Sequence, residues 1–371
     1  MVELNGAAGD TLPERRDLRP GLFCTNRKDA CASKLSSCQD YCCTVKVYVH
    51  ESTTNLTSYE GQEPEPLSAS LSMAGVEVVD ALSQDACLIV VDHSPKVLRK
   101  ARRLGISRDA CVLVQSEPRV VYPHQYDESV TSGYGLVCQV GRVDGANLLW
   151  PQNLPSSSSD WEKGPEDRRP GVFIATDRQS PIDSRTYELR RALVPHLLER
   201  GFSVRGNGWS DRWPRRLVFR SRLALWTFRQ RRIPNLRSHY RGVFAPRFQD
   251  ITPISRSDKL RYLSRFRVSV VVENSNEYLS EKLFDALSAG TLPIYVGPPL
   301  TDYGIPQNLA LEVQPEICAV LNAVDSITIE DIKRFQSFLG DWSTSPAAER
   351  HSRGQFVRQL IERLSADWKP V

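Results

Sequence analysis

The sequence predicts an α/β protein built from two parallel-sheet units, on three observations. Short apolar runs rich in Val, Ile and Leu recur along the chain and end in polar residues, the mark of strands covered on both faces. Helix-patterned stretches alternate with them, as the crossovers of a parallel sheet require. Between two such alternations lies 151–170, PQNLPSSSSDWEKGPEDRRP, where prolines, four consecutive serines and charge leave no period. A length of 371 residues exceeds one ordinary domain, so two units are also what size allows.

Taken in order, residues 1–43 have little periodicity and read as a Cys-containing extension. The first unit, 44–150, opens with a strand at 45–50 and a polar connection through Ser68. Further strands follow at 76–79 and at 87–91, the latter ending in Asp92 and His93. A basic helix at 95–104 leads to the strand 111–115, which ends in Ser116, Glu117 and Pro118, and 136–140 closes the sheet. After the linker, the second unit (171–345) has a strand at 172–175 and a helix from about 184 to 200 with leucines at 189, 193, 197 and 198. A strand at 202–205 and the turn Gly206-Asn207-Gly208-Trp209 come next. Residues 346–371 form a C-terminal helix, in which Phe356, Leu360, Ile361 and Leu364 recur at helical spacing.

Composition is that of a globular protein, 40% hydrophobic and 25% charged, and a net charge of +4 is too small to imply a nucleic-acid partner. Charge is unevenly spread, however: 205–247 holds twelve arginines against one acid, Asp211. That segment reads as a basic surface, solvated or in peripheral contact with a membrane. Trp209, Trp213 and Trp226 are interleaved with it, but no recognisable nucleic-acid module accompanies them. Five of the nine cysteines (Cys24, Cys31, Cys38, Cys42, Cys43) crowd the start of the chain. Their gaps of six, six, three and zero do not repeat the C-x2-C of a zinc site, so ordinary reduced thiols are the preferred reading. The sequon at Asn55 has no consequence in a cytosolic chain. No run nears the roughly 20 apolar residues that span a bilayer, and the start lacks a basic-then-apolar leader. A cytoplasmic, bacterial-like protein is therefore expected, with the Golgi lumen as the alternative if an anchor has been removed.

The most informative stretch is 267–299, RVSVVVENSNEYLSEKLFDALSAGTLPIYVGPP. The run 268–272 is a buried parallel strand, and Glu273 and Asn274 stand at its carboxyl end, where open α/β sheets bind ligands. Ser280 can cap a short helix that Gly290 ends. The amino end of that helix, carrying Lys282, suits a phosphate.

Within it, ENSNEYLSEKLFDALSAGTLPIYVG resembles the donor-binding motif of the family-ten glycosyltransferases, the α1,3/α1,4-fucosyltransferases. Glu273-Asn274-Ser275, Tyr278-Leu279-Ser280-Glu281-Lys282 and the Ala-Gly-Thr-Leu-Pro-Ile-Tyr-Val-Gly run meet its pattern, with Lys259 and Phe266 upstream. Val272 departs from it by replacing an aromatic residue, and the spacing from Asn274 to Tyr278 is short. The similarity is strong over 259–299 and weaker over 171–209; before residue 150 it is one of element order alone. It implies a GT-B fold, two Rossmann-like α/β domains facing a cleft, and an inverting transfer of fucose from GDP-fucose to an acceptor glycan hydroxyl, without an obligatory metal or other cofactor. No D-x-D stands at a strand end to suggest a metal either.

Such chemistry needs cations for the departing pyrophosphate and a base for the acceptor hydroxyl. Lys282 is the first cationic candidate, against the reading of a solvated helical lysine. Arg185 and Arg190 are the others, because SRTYELRRAL resembles the family helix whose arginine contacts the donor phosphates. The resemblance gives Glu281 the ribose hydroxyls, Glu273 and Asn274 the sugar or sugar-phosphate link, and Tyr278 the nucleotide. Each has a structural alternative: helix-dipole acid, strand-end cap, loop aromatic. The base is expected from the first unit, and Glu117 is the choice, in VQSEPRVVYP, with Asp92, His93 and His124 competing. Two other readings remain: a GT-B enzyme with another donor, such as an exostosin-like one, which Glu273-Asn274-Ser275 disfavours, and a catalytically silent nucleotide-sugar-binding protein.

Overall fold

In the computed structural model the described residues are 46–51, 66–139, 148–149, 154, 164–177, 185–209, 225, 248, 250–255 and 258–367. The cysteine-rich stretch 1–43, the sequon at Asn55, most of the linker 151–170 and nearly all of the arginine-rich segment beyond Trp209 lie outside them.

Among the described residues, two five-stranded, all-parallel sheets carry the chain. The first has β1 (Lys46–Glu51), β2 (Glu77–Val78), β3 (Ala86–Val91), β4 (Cys111–Gln115) and β5 (Leu136–Gln139) in the order β2-β1-β3-β4-β5. The second has β6 (Arg169–Ile174), β7 (Ser203–Arg205), β8 (Phe266–Val272), β9 (Leu292–Val296) and β10 (Leu311–Glu312) in the order β10-β9-β8-β6-β7. By contacts Val45–Val371 is a single compact unit holding both sheets.

Every residue of β3, β4 and β9 is buried, which is why these strands read as unbroken apolar runs. On β3, Cys87, Ile89 and Val91 pack into one cluster while Leu88 and Val90 enter another, so both faces are dry. Helices α1 (Leu67–Met73), α2 (Pro95–Arg103) and α3 (Glu128–Thr131) belong to the first sheet, and α4 (Arg185–Glu199), α5 (Lys259–Leu263), α6 (Glu281–Ser288), α7 (Ile317–Ser326) and α8 (Ile329–Ser343) to the second. The short α9 (Pro346–Glu349) leads to α10 (Arg353–Asp367).

Helix α1 begins at Leu67, at the end of the polar connection expected through Ser68, of which 52–65 lie outside the described residues. Its Leu67 and Leu71 are fully buried, but seven residues are too few to show a period in sequence. In α4, Leu189, Leu193 and Leu197 form the buried stripe, whereas Leu198 is exposed because a helix turns it about 100° from Leu197. Thr328 caps α8 with a reciprocal box to Asp331. Among the described residues, no helix is long and apolar enough to cross a membrane.

The last helix crosses back to the first sheet. Phe356, Val357, Leu360 and Leu364 of α10 pack with Val47, Ile89, Val112 and Val114, so the chain's end closes the apolar face of the sheet it began. Phe356→Ala should lower the unfolding free energy by about 3–5 kcal/mol in urea titrations, since the ring is wholly buried. A loss below about 1 kcal/mol would remove α10 from that face.

Candidate functional site

The carboxyl ends of β8 and β4, one in each sheet, place most of the expected site residues. At β8 the chain runs straight into Glu273, whose side chain is fully buried. Its carboxylate accepts the Ser280 amide at 3.0 Å and the Ser280 hydroxyl, and Lys282 Nζ stands 3.4 Å away. Ser280 in turn caps α6, its Oγ accepting from the Lys282 amide at 3.4 Å and from Lys282 Nζ at 2.7 Å. Gly297 makes room for this: a Cβ there would lie 2.3 Å from the Tyr295 hydroxyl and 2.8 Å from Glu273 Cγ. Gly290, with φ of 60°, follows the end of α6 in the left-handed conformation expected of it.

Helix α4 brings its first turns to the same strand end. Arg190 is buried and donates through Nε to the Val272 carbonyl at 3.1 Å and through Nη2 to Asn274 Oδ1 at 2.9 Å. Burial pulls its guanidinium below the usual range, opposed by Tyr187, Glu273 and Glu281. Thr186 donates its hydroxyl to the Asn274 carbonyl at 2.8 Å. Arg185, one residue earlier, is exposed at the start of the helix. Glu281 and Lys282 are half-buried at the head of α6.

Three residues expected to touch a donor therefore occupy inner positions. Arg190 and Glu273 are buried and bonded to strand end and helix cap, because a guanidinium or carboxylate out of water needs fixed partners. Tyr278 is 9% exposed, packs into the first sheet's apolar cluster and donates its hydroxyl to the Ser116 carbonyl at 2.6 Å. Motif spacing cannot reveal such burial. Lys282, Glu281, Arg185 and Asn274 remain on the more accessible side of this frame.

On the first sheet, Asp92 follows β3 with φ of 56°, a left-handed conformation rare outside glycine. Its carboxylate accepts the Ser116 amide at 2.9 Å, the Glu117 amide at 3.1 Å and the Ser116 hydroxyl. The Glu117 carbonyl accepts from Gln125 Nε2 and from the Tyr126 hydroxyl, both at 2.9 Å. Glu117 itself is half-buried. Of the other candidates, Asp92 braces the loop, His93 Nδ1 meets the Tyr134 hydroxyl at 2.9 Å, and His124 Nδ1 meets Asp127 at 3.0 Å. Burial, with His124 and Arg102 nearby, pushes His93 down to about 4, leaving it neutral near pH 7.

Sequence reasoning misses the bracing role of Asp92 and the pairing of Arg191 with Asp177 just beyond β6. Asp92 stands beside His93 at a strand end, but nothing in the chain announces a positive φ. Among the described residues no three His, Cys, Asp or Glu side chains come together to hold a metal. The described cysteines, Cys87, Cys111, Cys138 and Cys318, are free thiols.

No family model matches the chain. Over 44 residues it is 48% identical to a fucosyltransferase-like protein of Arabidopsis thaliana, a stretch covering 11% of this chain and 9% of that protein. Among solved structures, an α1,3-fucosyltransferase is similar over 87% of this chain and 90% of its own, at 11% identity and a TM-score of 0.43. An α-glucosyltransferase in complex with UDP is similar over 87% and 91%, at 11% identity and a TM-score of 0.45. A UDP-forming trehalose-phosphate synthase from Burkholderia xenovorans covers 78% and 75%, at 10% identity and a TM-score of 0.45.

Replacing Glu273 tests the frame directly. Glu273→Gln should cost about 2–3 kcal/mol of stability, because Lys282 loses its charged partner and one new donor faces the Ser280 amide. Chemical denaturation checks it, and an unchanged midpoint would mean that the buried carboxylate organises nothing.

Proposed function

We propose that the protein is an inverting glycosyltransferase that moves fucose from GDP-fucose to a hydroxyl of an acceptor glycan. One observation carries the reading: the Tyr278 phenol, on the loop that leads into α6, donates to the Ser116 carbonyl at 2.6 Å, so the donor-side loop meets the peptide that bears Glu117. Base candidate and donor-side helix thus gather around one side chain. The 44-residue likeness to a fucosyltransferase-like protein supports the choice of sugar.

In this reading the amino end of α6 and Lys282 receive the diphosphate, with Arg185 as the second cation and Glu281 on the ribose hydroxyls. Asn274, held by Arg190 and Thr186, faces the sugar-phosphate link. Glu117 takes the proton of the acceptor hydroxyl as its oxygen attacks the anomeric carbon. The bond from that carbon to the β-phosphate oxygen breaks, and GDP leaves with the negative charge that Lys282 offsets. A half-buried carboxylate within hydrogen-bond reach of the hydroxyl can serve as such a base. Glu273 and Arg190 act one layer back, fixing α6 and Asn274. The arginine-rich segment 205–247 would supply a peripheral membrane contact, and no nucleic acid is required.

Turnover with labelled GDP-fucose, GDP-mannose and UDP-glucose tests the donor, and the anomeric configuration of the product tests the stereochemistry. Glu117→Gln should cut turnover by at least about a hundredfold with GDP affinity within about twofold, while Lys282→Ala should weaken both. Retained turnover in Glu117→Gln would move the base elsewhere, and preference for a UDP-sugar would overturn the donor.

A further inference from the structure

We infer that Tyr278 is a positioning residue that couples the donor half of the site to the loop bearing the base, rather than a contact to the nucleotide. The inference rests on the glycosyl-transfer reading for its functional meaning, but its structural core stands on hydrogen bonds alone.

The two-residue turn Ser116-Glu117 is held almost entirely by side chains. Asp92 takes both amides and the Ser116 hydroxyl, and Gln125 and Tyr126 take the Glu117 carbonyl. These partners all come from the first sheet's own half. The remaining main-chain group, the Ser116 carbonyl, accepts from Tyr278 at 2.6 Å, and Tyr278 belongs to the loop after β8. That oxygen belongs to the peptide joining Ser116 to Glu117, so the bond acts on the residue that carries the base.

The donor-side loop is built to present this phenol. An antiparallel bridge between Ser275 and Tyr278 folds 275–278 into a tight turn. The Tyr303 hydroxyl donates to the Glu277 carbonyl at 3.1 Å, holding the turn from behind. At its two ends the loop is pinned by one carboxylate, Glu273, which precedes it and binds Ser280 beyond it. The Tyr278 ring is seated in the first sheet's cluster with Val114, Cys138, Leu148 and Phe356, although its backbone comes from the second sheet. Only Leu279 and Ser280 separate Tyr278 from Glu281 and Lys282 at the head of α6. A diphosphate settling on that helix end would therefore bear, through this short closed loop, on the peptide of Glu117.

Catalysis is sensitive to such placement, since about 1 Å of misplacement costs on the order of a hundredfold in rate. Tyr278→Phe deletes the hydroxyl and keeps the ring in its apolar seat, so the fold should survive. Two readouts apply. Hydrogen exchange across 116–122 should accelerate at least about threefold in the variant, and an unchanged pattern would overturn the coupling whatever the enzyme's substrate. In turnover, kcat should fall about 10- to 100-fold while GDP affinity by calorimetry and donor KM stay within about twofold. A roughly tenfold loss of GDP affinity with kcat unchanged would instead make the phenol a nucleotide contact and overturn the proposal. If the wild-type chain binds no GDP and transfers no fucose, the functional reading fails, and the exchange measurement still decides the coupling.

Discussion

A carboxylate with no exposure to solvent, at the end of a parallel strand, sets the terms for the loop and helix that follow β8. Buried Glu273 must recover in fixed partners the hydrogen bonds that it loses in water. It does so through the Ser280 amide and hydroxyl and the nearby Lys282 ammonium. Those same groups are the cap and first turn of α6. The position of the helix, the closure of the 274–279 loop and the placement of Lys282 thus follow from one buried charge. Gly297 is the corollary on the neighbouring strand, where a side chain would collide with Tyr295 and Glu273.

The first sheet solves its own strand-end problem in a parallel way. Asp92 adopts an unfavourable backbone conformation and in exchange binds three groups of the Ser116-Glu117 turn. Each sheet has an inner acid that shapes a loop, followed by more accessible polar residues: Glu281 and Lys282 on one side, Glu117 on the other. Tyr278 joins the two arrangements, and α10 ties the chain's end to the first sheet, so the halves are connected at the site and on the apolar face below it.

Much of this is legible in the amino-acid sequence because it depends on local pattern. The unbroken apolar runs of β3, β4 and β9, the Ser280 cap and the glycine ending α6 are all short-range signals. Depth is a different property. Arg190 and Arg185 look alike in a helix, yet one is buried under Val272 and Asn274 and the other is exposed. Glu273 and Glu281 are likewise two glutamates in one motif, separated only by which faces solvent. The hydrogen bond from Tyr278 to the Ser116 carbonyl has no sequence signal because the two residues lie 162 positions apart along the chain. The short α1 and β10 give no sequence signal because they have too few residues to display a period.

Under the proposed function, the frame around Glu273 holds α6 and Lys282 ready for a guanosine diphosphate. Calorimetric titration of the wild-type protein with GDP and, separately, UDP tests it most directly. Saturable binding of one GDP per chain, at least about tenfold tighter than UDP, is the result this account predicts. No heat of binding with GDP, or tighter binding of UDP, would contradict it.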